Sequence, residues 1–288
     1  MFYIKIPFLH LENILNSNQM IRWIKVADNK YIIQDGSDVV KVTENTSDRF
    51  LFDCSEDEFF SKWFYYFDIK NDYLKINNIA RSVSEIKIAA NRNKGMRIVR
   101  PSMFEVIIYS CIKSLFSVDK TRDAVNYIAM TCGIRHSKSF RESGKINWWE
   151  FPTPEMILEK KELLDNRRLY HQKSNILAIC EDIIGGWFDL EYLKLLSYNE
   201  AYDYLIQFDY LNDWAVKYIC FVSLGFNDIF LYDNHIAKFL KKINLNNLDE
   251  FKEWYLDADA EEYSGMLSMY IWNNEVFPPK RLEEWMEE

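Results

Sequence analysis

FDYLNDWAVKYICFVSLGFNDIFLYDNHIAKFL, residues 208–240, is the stretch on which the reading of this chain turns. Apolar residues return every three or four positions in WAVKYICFVSLGF and again in NHIAKFL, which predicts two helices. NEAYDYLIQF just upstream predicts a third, so DYLND becomes the turn of a helical hairpin spanning about 199–226. Gly225 suits the end of the second helix, and Asp233 suits the opening of the next one as an N-cap. The turn contains no glycine and carries two aspartates, Asp209 and Asp213. It is either a DNA-binding hairpin with altered contacts or an ordinary helical corner, and the rest of the chain decides between them.

Outward from this segment the periodicity changes once. Before about residue 95, YIKIPF, MIRWIKV, KYIIQ and DVVKVTE are short β-branched or aromatic runs separated by DNK and DGSD, which predicts an antiparallel sheet joined by hairpins. SEDEFFSKWFYYF predicts a helix packed on that sheet, with Ser55 as its N-cap. From about Pro101 onward the pattern is helical, and Gly133, Gly185–Gly186 and Gly225 stand where C-terminal caps belong. The expected division is a sheet domain over 1–95 and a helical domain over 96–288. This is an α+β chain with no internal repeat.

The 288 residues are 49% apolar and 16% aromatic, enough for a large core. No apolar run approaches the ~18 residues of a membrane span, and the N-terminus lacks the pattern of a leader, so a cytoplasmic protein without a membrane partner is expected. The five cysteines are scattered with no CxxC pair and read as reduced structural thiols. A net charge of −9 excludes a global attraction to nucleic acid; any DNA contact needs a local basic face. RNKGMRIVR, residues 92–100, and RRLYHQK, residues 167–173, are the candidates, against the alternative of ordinary solvated charge.

Several separated segments together resemble one family. NSNQMIRW, residues 16–23, resembles the GQSFRW-type segment, and GMRIVRPSMFEVIIYSCIKSLFSVDKTRDAVNYIAMTCG resembles the first long helices. FPTPE, residues 151–155, HQKSNILAICEDIIGGWFDLEYLKLLSYNEA and YSGMLSMYIW follow in the same order. The family is that of the helix-hairpin-helix DNA glycosylases, in the branch of 8-oxoguanine DNA glycosylase and 3-methyladenine DNA glycosylase II. The resemblance implies an N-terminal antiparallel sheet domain set against two helical lobes with the active-site cleft between them. An iron–sulfur cluster, which some relatives carry near the C-terminus, is excluded because no cysteine follows Cys220.

Glycosidic cleavage of a nucleotide builds oxocarbenium charge on the sugar, which a carboxylate beneath it stabilises while orienting water. The base must first leave the stack and enter a pocket. The resemblance places the catalytic carboxylate at Asp233, in DNHI, although an aspartate opening a helix is equally a plain N-cap. His235 matches a phosphate-contacting position. The lysine that forms a Schiff base in bifunctional relatives is replaced by Trp214, which lies 19 residues before Asp233 (233 − 214). An indole is no amine nucleophile, so a monofunctional enzyme without lyase activity is expected; Lys217, one turn on, reads as a surface lysine. Trp214, Tyr218, Ser268 and Trp272 match base-pocket positions, and Asn18 takes the place of a lesion-reading glycine. Leu115 resembles the leucine wedge of the 3-methyladenine branch, replacing an asparagine that reads the orphaned cytosine, and His171 replaces an arginine with the same role. An aromatic row or a helix leucine can equally be core.

In the family the hairpin turn is glycine-rich so that backbone N–H groups reach a phosphate, often beside a monovalent cation. Here Tyr210, Leu211 and Asn212 fill that turn, so a bound cation is doubtful and no other cofactor or metal is expected. Asp213 would cap the helix starting at Trp214. The expected partner is double-stranded DNA and the expected state a monomer. The substrate is either an alkylated purine in repair or a hypermodified base of foreign DNA, such as phage DNA, in defence. A non-catalytic DNA-binding relative and a nucleoside or nucleotide N-glycosidase remain as alternatives.

Overall fold

The computed structural model describes residues 1–17, 19, 22–46, 48–140, 144–169, 172–245, 247–256 and 260–276. Five strands, β1 (Phe2–Lys5), β2 (Trp23–Ala27), β3 (Lys30–Asp35), β4 (Asp38–Thr46) and β5 (Arg49–Phe52), form an antiparallel sheet in the order β1-β5-β4-β3-β2. Its hairpins turn where expected. Asn29 in DNK and Gly36 in DGSD take φ of 57° and 58°, a region open to glycine and tolerated by asparagine. β5 adds a strand that the four apolar runs did not include; it pairs with both β1 and β4. Phe50 and Phe52 are buried from it, and Phe52 packs on Phe59 and Phe67 of the following helical segment at 4.8 and 5.8 Å. That helix begins as expected, with the Ser55 hydroxyl accepting the Glu58 N–H at 3.1 Å.

The rest is mainly helical, with one correction to the expected uniform pattern. β6 (Arg135–Phe140) and β7 (Gly144–Trp149) pair as an antiparallel hairpin between the helices Val118–Cys132 and Pro154–Glu159. Rings meet across the strands at one pair, with His136 stacked on Trp148 at 5.4 Å. Gly133 caps the preceding helix with an ordinary φ of −76°. Glycine is needed there for space, since a Cβ would stand 2.0 Å from the Glu150 carbonyl oxygen.

Buried cations join the sheet to the helices. Arg22 makes a bidentate ion pair with Glu105 at 2.5 and 3.2 Å and donates to the Trp149 carbonyl. Arg97 donates to the carbonyls of Pro7, Phe8, Asp68 and Asn71. Arg100 donates to the carbonyls of Phe221 and Val222 and to Asp68 and Asn227. Of the four basic residues in 92–100, Arg97, 3% exposed, and Arg100 are committed to these contacts, which leaves Arg92 and Lys94 as the exposed charges of that segment. Burial alone would raise the Asp68 carboxyl, but Arg100 beside it, with Asn71 and Tyr73, holds it below the usual carboxylate range.

Candidate active site

The hairpin forms as expected from helices Tyr198–Ile206 and Asp213–Ile219, but its turn follows a different path. The Leu211 N–H closes it on the Phe208 carbonyl at 2.9 Å. No residue between the two helices has a positive φ, and Asn212 is extended at φ −93° and ψ 172°. Neither Tyr210 nor Asn212 enters the left-handed region, so the backbone needs no glycine here. Asn212 is the N-cap, accepting the Ala215 N–H at 2.9 Å, which corrects the expectation that Asp213 caps this helix. Asp213 instead accepts the Tyr202 hydroxyl on Oδ1 and pairs with Lys217 on Oδ2, both at 2.9 Å.

Side chains brace the turn from within. Tyr210 donates its hydroxyl to Asp182 at 2.9 Å, stacks on Phe208 at 5.5 Å, and Phe208 stacks on Phe188 at 4.6 Å. Leu211 is 4% exposed. In this conformation the Leu211 side chain packs inward and is not on the outer surface of the turn.

Beyond the turn, Trp214 stacks on buried Tyr218 with centroids 4.9 Å apart, and Tyr218 packs against Tyr109 at 5.6 Å. Trp272 approaches Trp214 at 6.3 Å with the rings tilted by 48°. Ser268, one turn before Trp272, is fully buried and donates its hydroxyl to the Gly265 carbonyl. The sequence reading missed Lys113. Its ammonium lies 5.2 Å from the Trp214 ring and 5.4 Å from the Trp272 ring, within cation–π range of both. Burial lowers its pKa, and the negative charge of Asp233 opposes that shift.

Asp233 is the N-cap of the helix Asn234–Lys242. Its Oδ1 accepts the N–H groups of His235 and Ile236 at 2.8 and 3.1 Å, while Oδ2 has no hydrogen bond among the described residues. The carboxylate is half-buried, so the cap fixes its orientation and leaves one oxygen for another partner. His235 is also half-buried; burial pushes its pKa down, and Asp233 acts in the other direction. Leu115 stands 67% exposed at the turn after the helix Met103–Lys113. Asn18 and His171 lie outside the described residues. No cluster of three or more potential metal-ligating side chains exists among the described residues, and no helix among them is long and apolar enough to cross a membrane.

Residues 2–107 match the family model of the 8-oxoguanine DNA glycosylase N-terminal domain. No curated protein matches the chain. Solved structures match over nearly the whole length. MBOgg1 in complex with a low-affinity DNA ligand aligns with a TM-score of 0.83 at 20% identity, over 95% of this chain and 94% of that one. The 8-oxoguanine glycosylase/lyase of Clostridium acetobutylicum, bound to double-stranded DNA with cytosine opposite 8-oxoguanine, aligns at 0.77 and 20% identity, over 92% and 91%. The 3-methyladenine DNA glycosylase of Archaeoglobus fulgidus aligns at 0.75 and 16% identity, over 96% and 99%. The chain thus has the fold of the helix-hairpin-helix DNA glycosylases, an N-terminal antiparallel sheet followed by a helical body.

Proposed function

We propose that this protein is a monofunctional DNA glycosylase, which rotates a damaged or modified base out of duplex DNA and hydrolyses its N-glycosidic bond. The observation that carries the reading is Asp233, held by its cap through Oδ1 with Oδ2 left open, its charge felt by Lys113, which itself lies over the Trp214 and Trp272 rings. Its carboxylate would stabilise the oxocarbenium charge and orient the attacking water. Trp214 and Trp272 would receive the base, Leu115 would fill the gap in the duplex, and the N–H groups that open the helix Asp213–Ile219 would take a phosphate. Alkylated purines and hypermodified bases of foreign DNA are the two substrate classes this reading admits, and the protein would act as a monomer.

Hydrolysis by water is favoured over a lyase route because the hairpin offers Trp214 where an amine would stand. Lys217 is already paired with Asp213. Alkylated genomic DNA and glucosylated phage DNA, each incubated with the protein and then treated with alkali, are expected to break at newly formed abasic sites in one of the two. Borohydride added during the reaction is expected to trap no protein–DNA adduct. An adduct that disappears in Lys113→Gln would overturn the water-only route, and intact DNA in both alkali treatments would remove the catalytic reading in favour of a DNA-binding protein.

A further inference from the structure

Two donors at the Trp214–Trp272 cluster, the Lys113 ammonium and the Trp272 indole N–H, make no hydrogen bond among the described residues. The Lys113 ammonium faces both indoles and makes no hydrogen bond or ion pair there. Trp272, 4% exposed, carries a buried Nε1–H with no partner. A buried donor left unpaired is costly, so both groups favour an occupant that brings acceptors. The indoles are tilted rather than parallel, and the ammonium occupies the space over both faces. A base entering the cluster therefore meets this cation directly.

We propose that Lys113 sets which bases the Trp214–Trp272 cluster accepts, admitting neutral or anionic bases that present an acceptor edge and rejecting cationic purines alkylated at N3 or N7. The inference rests on the glycosylase reading and separates its two substrate classes. A purine alkylated at N3 or N7 carries a full positive charge while attached to its sugar. Two cations in a poorly hydrated cleft repel far more strongly than in water, and aromatic faces cannot neutralise both. Asp233 does not remove the conflict. Under the proposed mechanism it lies beneath the sugar, where charge develops whichever base departs, whereas Lys113 lies where the base itself would stack. A neutral base offering a carbonyl, or one bearing a carboxylate or sugar substituent, gives the ammonium an acceptor and is attracted by the same charge.

Two duplexes isolate charge from shape. One carries 2′-fluoro-N7-methylguanine, cationic and slow to cleave because fluorine destabilises the oxocarbenium. The other carries the neutral isostere 7-deaza-7-methylguanine with the same 2′-fluoro sugar. The wild-type protein is expected to bind the cationic duplex at least about tenfold more weakly, Lys113→Gln to bring the two within about twofold, and Lys113→Arg to keep the discrimination. Equal wild-type affinities, or an unchanged ratio in Lys113→Gln, overturn the proposal. If that ratio is unchanged while base release stops in Asp233→Asn, the specificity proposal alone falls. A ratio that collapses in Lys113→Gln without base release from any DNA retains the specificity site and removes the catalytic reading; no binding to either duplex removes both.

Discussion

Asp213 and Asp233 each stand at the start of a helix, yet the fold uses them differently. Asp213 has both carboxylate oxygens engaged, one by the Tyr202 hydroxyl and one by the Lys217 ammonium. Asp233 caps its helix through Oδ1 alone. A carboxylate with paired oxygens braces the hairpin and has its charge partly cancelled, which limits its repulsion of a nearby phosphate. One fixed by two backbone N–H groups on a single oxygen is held in a set orientation with its other oxygen open. The same residue type at two helix starts, as first helical residue in one and as cap in the other, thus supports structure in one region and is available for chemistry in the other.

The comparison depends on the frame that holds both helices, and the largest effect is expected there. Arg100 links Asp68 to the carbonyls of Phe221 and Val222 near the end of the hairpin. Arg100→Met would leave the buried Asp68 carboxylate unpaired at a cost of about 3–5 kcal/mol, measured as a lower midpoint in urea. The sign of the pH dependence follows from Asp68. Its folded pKa lies below the unfolded value, so its contribution is present above the unfolded pKa and is lost as pH falls through the folded one. Wild-type stability is expected to drop in acid over that window, and the variant's curve to flatten.

Next comes Leu115→Ala. With the side chain 67% exposed, the melting temperature is expected to stay unchanged while base release falls about tenfold, since the wedge acts only within the duplex. A smaller effect is expected at Asp213→Asn. Asp213 and Lys217 are substantially exposed, 57% and 30% at the side chain, so losing their pair costs at most ~1 kcal/mol. Removing the negative charge should tighten duplex binding at low salt. Weaker binding would show that Asp213 serves DNA directly and would end the contrast with Asp233.

The smallest effect is at His235. Its pKa is depressed by burial, so it is largely neutral at pH 7, and a phosphate contact would favour its charged form. Duplex affinity is expected to rise modestly as pH is lowered from 8 to 6, and His235→Gln to flatten that rise in a fluorescence-anisotropy titration.

Much of the frame was legible because it is local. The hairpin turns at DNK and DGSD, the Ser55 cap and the helices around Asp233 depend on neighbours within a few residues. The β6–β7 hairpin was missed because RHSKSF and KINWW alternate weakly and lie inside a helical half. Arg97 and Arg100 read as surface charge because their acceptors are carbonyls and side chains distant in sequence. Lys113 escaped for the same reason. In IYSCIKSLFS it resembles a basic residue ending a helix, and the two indoles over which it sits come from two other helices. Asn212 took the cap expected of Asp213 because Tyr202 and Lys217, one from each hairpin helix, engage the Asp213 carboxylate.

Single-turnover base release by Asp233→Asn against the wild type tests the central claim most directly. Asparagine retains a good helix cap, so the melting temperature is expected to hold while release falls by about a hundredfold or more. Full activity in that variant would contradict the assignment of Asp233 as the catalytic carboxylate.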